Sequence, residues 1–407
     1  MEPTNTTTVL KSDFPPQSEI LSFDDTRVAF ASKSDNDLRK AYFLFRLVSS
    51  PSLMVLGKHA STLALKLNLP IKGIIKKTIF NQFCGGETIE ECATTTKILD
   101  AYNIGTILDY SVEGKENEAE FEFGFQEILR TIETADRNPH IPFCVFKVSG
   151  LCRNSLLEKI SAGKDLTETE SAAYSRLKAR IDAISKRAVE ADTPVFFDAE
   201  ESWLQEAIDN LAMEMMAKYN LKKAIVYNTL QMYRHDRIAH LVLAQAQAEE
   251  NGFFYGIKLV RGAYMEKERL RAEEKGYVSP IQPDKAATDR DYDAAILFCL
   301  SHLNNVYFCA GTHNEESSLL LASEMDRLQI DRNDERISFA QLYGMSDHIS
   351  FNLSKASFNV AKYVPYGPVK DVMPYLIRRA EENTSVQGQT GRELNLITKE
   401  IKRRKKS

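Results

Sequence analysis

Eight short runs rich in Val, Ile, Phe and Tyr recur from about residue 105 onward, each followed by a longer amphipathic stretch, and this alternation constrains the fold most. In order they are TILDYS, PFCVFKVSG, PVFFDAEE, AIVYNTLQMY, FYGIKLVRGAY, VYFCAGTH, ISFAQLYGM and VAKYVPYG. Strands that alternate with helices lie parallel, because each crossover returns the chain to the same end of the sheet. Spacers such as EAEFEFGFQEILRTIETAD and ESWLQEAIDNLAMEMMAKYN repeat apolar residues at three- and four-residue spacing, as a helix covering a sheet requires. Eight strand–helix pairs over about 280 residues fit an α/β fold of the (β/α)8 TIM-barrel type better than an open sheet. An open doubly wound sheet would bind a dinucleotide with GxGxxG after an early strand, and that pattern is absent.

The barrel is expected over residues 81–390, after an N-terminal helical arm over residues 1–80 and before a basic C-terminal tail over residues 391–407. TIEECATTTKILDAYN, which follows Gly85 and Gly86, is expected as a helix laid across one barrel end. FLFRLVSSPSLMVLG contains Arg46 and Pro51 and is expected as a buried helix or helix pair, not a membrane span. The first twenty residues lack the apolar core of a signal peptide. GRELNLITKEIKRRKKS joins an apolar stripe (Leu394, Ile397, Ile401) to a basic run at residues 402–406. A solvated tail is the plain reading, and peripheral contact with an anionic membrane surface is the alternative.

Formal net charge is −5, so no basic field is available for a nucleic-acid partner. Six cysteines are scattered without CxxC spacing, which reads as reduced thiols in a cytoplasmic protein.

In a barrel of this type the C-terminal strand ends line the active site. Nearly every run ends on a polar residue: Asp109, Lys147 with Ser149, Asp198 with Glu200, Gln231, Arg261, Thr312 with His313 and Asn314, Gln341, and Tyr363. Any one of them is equally well the first solvated position of a loop. Together they read as a polar cup, because charges near a core are costly unless they pair with one another or with a ligand. In GIKLVRGAY, Lys258 and Arg261 bracket an apolar stretch, and Gly262-Ala263 remove side-chain bulk where the chain leaves the sheet. That step suits either a flat or phosphorylated ligand or simply a tight turn. His313 has no second histidine at metal-ligand spacing.

The segment YLIRRAEEN, if helical, places Tyr375, Arg378, Arg379 and Glu382 on one face and leaves Leu376, Ile377 and Ala380 as a flank to pack on the barrel. Two adjacent guanidinium forks suit a carboxylate, whereas the plainer reading is an exposed helix with Arg–Glu pairs. Tyr363 and Tyr366 just upstream supply apolar walls, so the implied guest is a carboxylate with a small apolar body.

With VFFDAEES ahead of them, the ordered blocks GIKLVRGAYMEKERLRA, FCAGTHNEES, FAQLYGMSD and KYVPYGPVKDVMPYLIRRAEEN resemble the proline dehydrogenase family over about residues 80 to 390. The resemblance implies a distorted (β/α)8 barrel with FAD at the C-terminal strand ends. It implies oxidation of L-proline to Δ1-pyrroline-5-carboxylate by hydride transfer to the flavin, which a membrane quinone reoxidises. It also implies that the product passes to a separate pyrroline-5-carboxylate dehydrogenase.

By the same resemblance Arg378 and Arg379 clamp the proline carboxylate, and Lys147, Asp198, Ala263, Leu342, Tyr363 and Tyr375 line the pocket. Gln231, Lys258, Arg261, Gly262, Tyr264, Thr312, His313, Asn314 and Glu382 hold the FAD. Glu87 resembles the carboxylate that pairs with the first clamp arginine. Arg261 is expected near the flavin ring, with Asp198 and Lys147 as counter-charges; no residue is assigned as base. Met265 departs from the tryptophan of some members. Tyr363 favours proline over 4-hydroxyproline, because hydroxyproline dehydrogenases tend to carry a smaller residue there. The alternatives are a hydroxyproline dehydrogenase and a flavin- or proline-binding regulator without turnover.

Overall fold

Strands β1 (Ile104–Tyr110), β2 (Phe143–Phe146), β3 (Val195–Phe197), β4 (Val226–Gln231), β5 (Tyr255–Val260), β6 (Val306–Gly311), β7 (Ile337–Leu342) and β8 (Val360–Tyr366) pair in sequence order, all parallel. Strand β8 returns to β1, with Ile107 opposite Tyr363, and the barrel closes. All eight expected runs contain strands, which stop short of the polar ends of the runs in most cases, while β1 begins two residues before its run. The computed structural model describes residues 21–48, 72–111, 116–385 and 389–406.

Strands buried on both faces need apolar residues on both. Outward-facing positions such as Leu108, Val195, Leu230 and Phe308 pack against the surrounding helices in one cluster. Inward-facing Ile107, Phe143, Val145, Phe196, Tyr227 and Tyr363 form another inside the barrel. Phe143 and Phe196 stack with ring centres 4.7 Å apart. The interior is therefore a packed core and not a pore, which leaves the strand ends as the place for polar chemistry.

Two departures from a regular barrel position the site. The helix Ile89–Asp100 does not lie across a barrel end as expected; it packs flank-on against β1 and β8, where the helix after β8 would otherwise sit. Thr88 caps it by accepting the Glu91 N–H, so the chain enters the helix at the barrel wall. The helix after β8, Met373–Ser385, is thereby free of the wall and packs on the arm helix Asp35–Val48 and the C-terminal helix Gln389–Arg404. Leu376 and Ile377 accordingly face a second core, built with Phe30, Leu38, Phe80, Phe83, Met345 and Leu396, and not the barrel wall as expected. The side chain of Ala380 lies outside the described residues.

The C-terminal segment is likewise not a solvated tail. Residues Gln389–Arg404 form a helix whose Leu396 and Ile397 are buried, and Glu400, fully buried, receives Arg403 and Arg404 and the Thr26 hydroxyl. Arg404 continues to the carbonyls of Phe30 and Lys33, so part of the basic run ties the two chain ends together. In the arm, Phe45 is buried and Phe43 exposed; residues 49–57 of the apolar segment lie outside the described residues. No helix among the described residues is long and apolar enough to cross a membrane. All six cysteines are unpaired, buried thiols.

Candidate active site

The centre of the cup is Lys258, which β5 projects into the barrel and which is only 3% exposed. Its ammonium pairs with the Asp198 carboxylate at the end of β3 and donates to the Tyr363 hydroxyl on β8. It also stands over the rings of Tyr363, at 4.5 Å, and Phe196, at 5.2 Å. A buried ammonium requires such partners, since an unpaired one would lose its proton. Burial and the neighbouring carboxylates push the Tyr363 phenol well above its ordinary value, so it stays a neutral hydroxyl.

Around this centre, Asp109 at the end of β1 is buried and accepts from the Ser111 hydroxyl. Burial pushes its carboxyl up, Lys147 pulls it back, and Asp198 opposes that pull. Lys147, just past β2, reaches 3.5 Å from the Tyr264 hydroxyl. Burial pushes Glu200 up to about 7, against the Lys147 charge and the Ser149 N–H that it accepts at 2.9 Å.

The helix Met373–Ser385 leans over this mouth. The Arg378 guanidinium lies 5.7 Å from the centre of the Tyr264 ring, and the buried Arg379 lies 5.4 Å from that of Tyr375. Tyr264 thus links Arg378 to Lys147 at the strand ends, while Arg379, next to it in the helix, meets Tyr375 and sets its charge near His313.

A second group occupies the ends of β4 to β6. Gln231 donates to the Glu200 carbonyl at 2.7 Å, and its amide oxygen accepts the Ala263 N–H at 3.4 Å. Gly262 has φ +138°, and a Cβ there would stand 2.5 Å from the Tyr233 ring, so only glycine makes this turn. Arg261 is held by Asp289 at 2.7 Å, Thr312 at 2.6 Å and Ser317 at 3.0 Å, with its guanidinium carbon 4.4 Å from the centre of the Tyr292 ring. Asn314 caps the helix Glu315–Arg327 by accepting the Ser317 N–H. His313 is pushed down to about 3 by burial and by the cations Lys362, Arg379 and Arg261, so its ring is neutral.

The fold therefore gathers Lys147, Asp198, Lys258, Tyr264, Tyr363 and Arg378 around one mouth, with Gln231, Arg261, Gly262, Ala263, Thr312, His313 and Asn314 along its β4–β6 side. Leu342 sits between the interior cluster and the second core, and Tyr375 is buried in the latter. Glu87 pairs with Lys76 at 2.9 Å and accepts the Val369 N–H at 3.3 Å, which fixes it to the loop leading into the overhanging helix. Glu382 belongs to that helix, and its side chain lies outside the described residues.

The structure adds pairings that the sequence reading did not specify. The counter-charge of Asp198 is Lys258, and the cation at the barrel centre is Lys258, whereas Arg261 is directed to Asp289 between β5 and β6. Phe196, Asp289 and Ser346 are further contributors that no local pattern announces, because each matters only through a partner more than 25 residues away.

Polar strand ends that converge on one mouth make this a (β/α)8-barrel enzyme. Comparison with known proteins narrows the class: the model of the proline dehydrogenase family matches residues 92–392, so the chain belongs to that family and is an oxidoreductase. It is 33% identical to mitochondrial proline dehydrogenase 1 of Dictyostelium discoideum, over 93% of this chain and 74% of that protein. It is 32% identical to hydroxyproline dehydrogenase of Xenopus laevis, over 94% of this chain and 90% of that protein. Among solved structures, proline utilization A from Bdellovibrio bacteriovorus, inactivated by N-propargylglycine, shares the fold with a TM-score of 0.70 at 19% identity, over 91% of this chain and 40% of that chain.

Proposed function

We propose that this protein oxidises L-proline to Δ1-pyrroline-5-carboxylate with FAD as cofactor and a quinone as final electron acceptor. The observation that carries the proposal is the Arg378 guanidinium over the ring of Tyr264, which meets Lys147 at the strand ends where Lys258, Asp198 and Tyr363 pair, with Arg379 next to it in the same helix. Two permanently charged forks grip a carboxylate there, while Ala263, Tyr264, Leu342, Tyr363 and Tyr375 wall the small apolar ring behind it. Lys147 and Asp198 set the charge of the pocket, and Glu87 steadies the entry to the overhanging helix.

The donor set fits a flavin. An amide (Gln231), a guanidinium (Arg261), a hydroxyl (Thr312), a neutral imidazole (His313) and the amino end of the helix capped by Asn314 suit ring carbonyls and a pyrophosphate. Gly262, Lys258, Tyr264 and Glu382 complete that set. FAD, when bound, supplies the hydride acceptor. The chain's own residues orient the substrate, exclude water and keep Tyr363 protonated beside the Lys258 ammonium.

Tyr363 accepts from Lys258 and stacks on Phe196 with centres 6.4 Å apart, so a 4-hydroxyl on the substrate ring would be crowded by an aromatic wall. Proline is the favoured substrate on that ground. The similarity to a hydroxyproline dehydrogenase supports the second reading, oxidation of 4-hydroxyproline. Contact with the quinone's membrane would be peripheral, and the product would pass to a separate pyrroline-5-carboxylate dehydrogenase.

The purified protein is expected to be yellow, and its flavin absorbance to bleach anaerobically on addition of L-proline. Colourless protein that stays inactive with added FAD would defeat the proposal. Comparing specificity constants for the two substrates decides between the readings.

A further inference from the structure

His313 lies two residues past the end of β6, and both of its ring nitrogens are engaged. Nε2 accepts the backbone N–H of Leu342 at 3.4 Å. A backbone N–H can only donate, so Nε2 is the nitrogen without a proton. Nδ1 lies 2.9 Å from the Ser346 hydroxyl. The ring is neutral, so Nδ1 carries the proton and donates to the Ser346 Oγ.

Ser346 reaches this position through an unusual backbone. It has φ +51°, a left-handed conformation that a residue with a Cβ adopts at a cost, and it stands immediately before the helix Asp347–Lys355. Contacts from the C-terminal helix, from the segment Asn81–Phe83 and from β8 hold it there. The Ser346 N–H donates to Glu393 of the C-terminal helix at 3.1 Å, and Gln82 donates to the Gly344 carbonyl at 2.8 Å. Lys362 donates to the Met345 carbonyl at 2.6 Å. Behind the imidazole lies a cavity of about 30 Å³ whose walls include Phe45 of the arm and Arg392 of the C-terminal helix. A serine in this strained conformation, pinned on its N–H side by a buried carboxylate and pointing its hydroxyl at a ring nitrogen, does more than start a helix.

We propose that Ser346 is a positioning residue: the Leu342 N–H makes Nε2 the bare nitrogen of His313, and the Ser346 hydroxyl accepts the proton left on Nδ1 and so keeps the ring in this orientation, with Glu393 fixing Ser346 in turn. The ring then offers a lone pair and not an N–H beside Leu342, and the C-terminal helix, through Glu393 and Ser346, supplies the acceptor that this arrangement needs. This inference rests on the placement of His313 at the flavin site only for its consequence; the tautomer itself does not depend on it.

The test is a nitrogen–proton correlation spectrum of the histidine rings in the labelled holoenzyme, with His313 assigned by its loss in His313→Gln. The wild type is expected to show a protonated Nδ1 and a bare Nε2. Ser346→Gly removes the hydroxyl and relieves the left-handed strain, so the variant folds at least as well. In it the Nδ1–H form is expected to fall from the sole form to part of a mixture, with the flavin midpoint potential shifted and KM for proline within about twofold of the wild type. Ser346→Ala is expected to lose the single tautomer in the same way. An Nε2–H ring or an imidazolium in the wild type, or an undiminished Nδ1–H form in Ser346→Gly, would overturn the proposal. A changed tautomer with an unchanged potential would uphold the role of Ser346 and remove His313 from the flavin site.

Discussion

The Lys258 ammonium on β5 donates to the Tyr363 hydroxyl on β8, 105 residues further along the chain, and stands 4.5 Å from the centre of the same ring. One buried charge is thus satisfied by a carboxylate, a hydroxyl and an aromatic face at once. Lys258→Met would leave Asp198 facing a dry, aromatic interior. Breaking a buried pair from one side costs roughly 3–5 kcal/mol, and the partial exposure of Asp198 argues for the lower end, about 3 kcal/mol. Adding Asp198→Asn is expected to restore more than half of that loss in urea unfolding. A double variant no more stable than Lys258→Met would mean that the pair is not coupled.

Arg378→Ala should weaken proline binding by one charge-assisted contact, on the order of 1.5–3 kcal/mol, which corresponds to a rise in KM of roughly ten- to a hundredfold. Arg378→Lys keeps the charge without the fork and should fall between. An unchanged KM in steady-state kinetics would show that the clamp is misassigned.

Glu200 should make stability pH-dependent. Its carboxyl is raised in the folded state to about 7, so the folded protein binds the proton that the unfolded chain releases near the ordinary carboxylate value. Its contribution therefore declines as pH rises from about 4.5 to about 7, by about 3 kcal/mol for a shift of this size. Glu200→Gln is expected to flatten that part of the stability–pH curve, gaining on the wild type at pH 8 relative to pH 5. Parallel curves would sink the assignment.

Gly344→Ala tests how the arm holds the loop after β7. Gly344 has φ +76°, and a Cβ there would fall 1.8 Å from the Gln82 carbonyl oxygen, so the variant must displace either the loop or the segment Asn81–Phe83. We expect a loss of more than about 2 kcal/mol, from left-handed strain together with the clash. A thermal midpoint unchanged from the wild type would contradict this.

Tyr363→Ser should open the wall that faces the substrate ring and supply a hydroxyl to a 4-hydroxyl group. The ratio of specificity constants is expected to move toward 4-hydroxyproline by roughly ten- to a hundredfold. A ratio that does not move would place the substrate ring elsewhere in the pocket.

Much of this architecture was legible before any coordinates. Runs such as VYFCAG and ISFAQL are apolar on both faces and short, which only a buried parallel strand satisfies, and all eight were found where expected. The strand ends were legible as a set, since a single polar residue there is equally well the start of a loop, whereas polar residues ending nearly every apolar run imply a shared cup. The helical face that carries Arg378 and Arg379 was also legible, being a property of one segment's period. What that helix packs against was not, because Leu376 and Ile377 are apolar whether they meet the barrel wall or the arm.

The amino-acid order by itself determined the parts that local physics governs: strand, helix, turn, and which side chains share a face. Only the tertiary structure decided the partnerships. It matched Asp198 with Lys258, paired Arg261 with Asp289, let Ile89–Asp100 take the place beside β1 and β8, and brought Glu393 back to Ser346. The reason is physical. Periodicity records how a residue relates to its near neighbours, whereas an ion pair or a shared core depends on which distant surfaces chain closure brings within a few ångströms, and several alternatives are locally equivalent until the barrel closes.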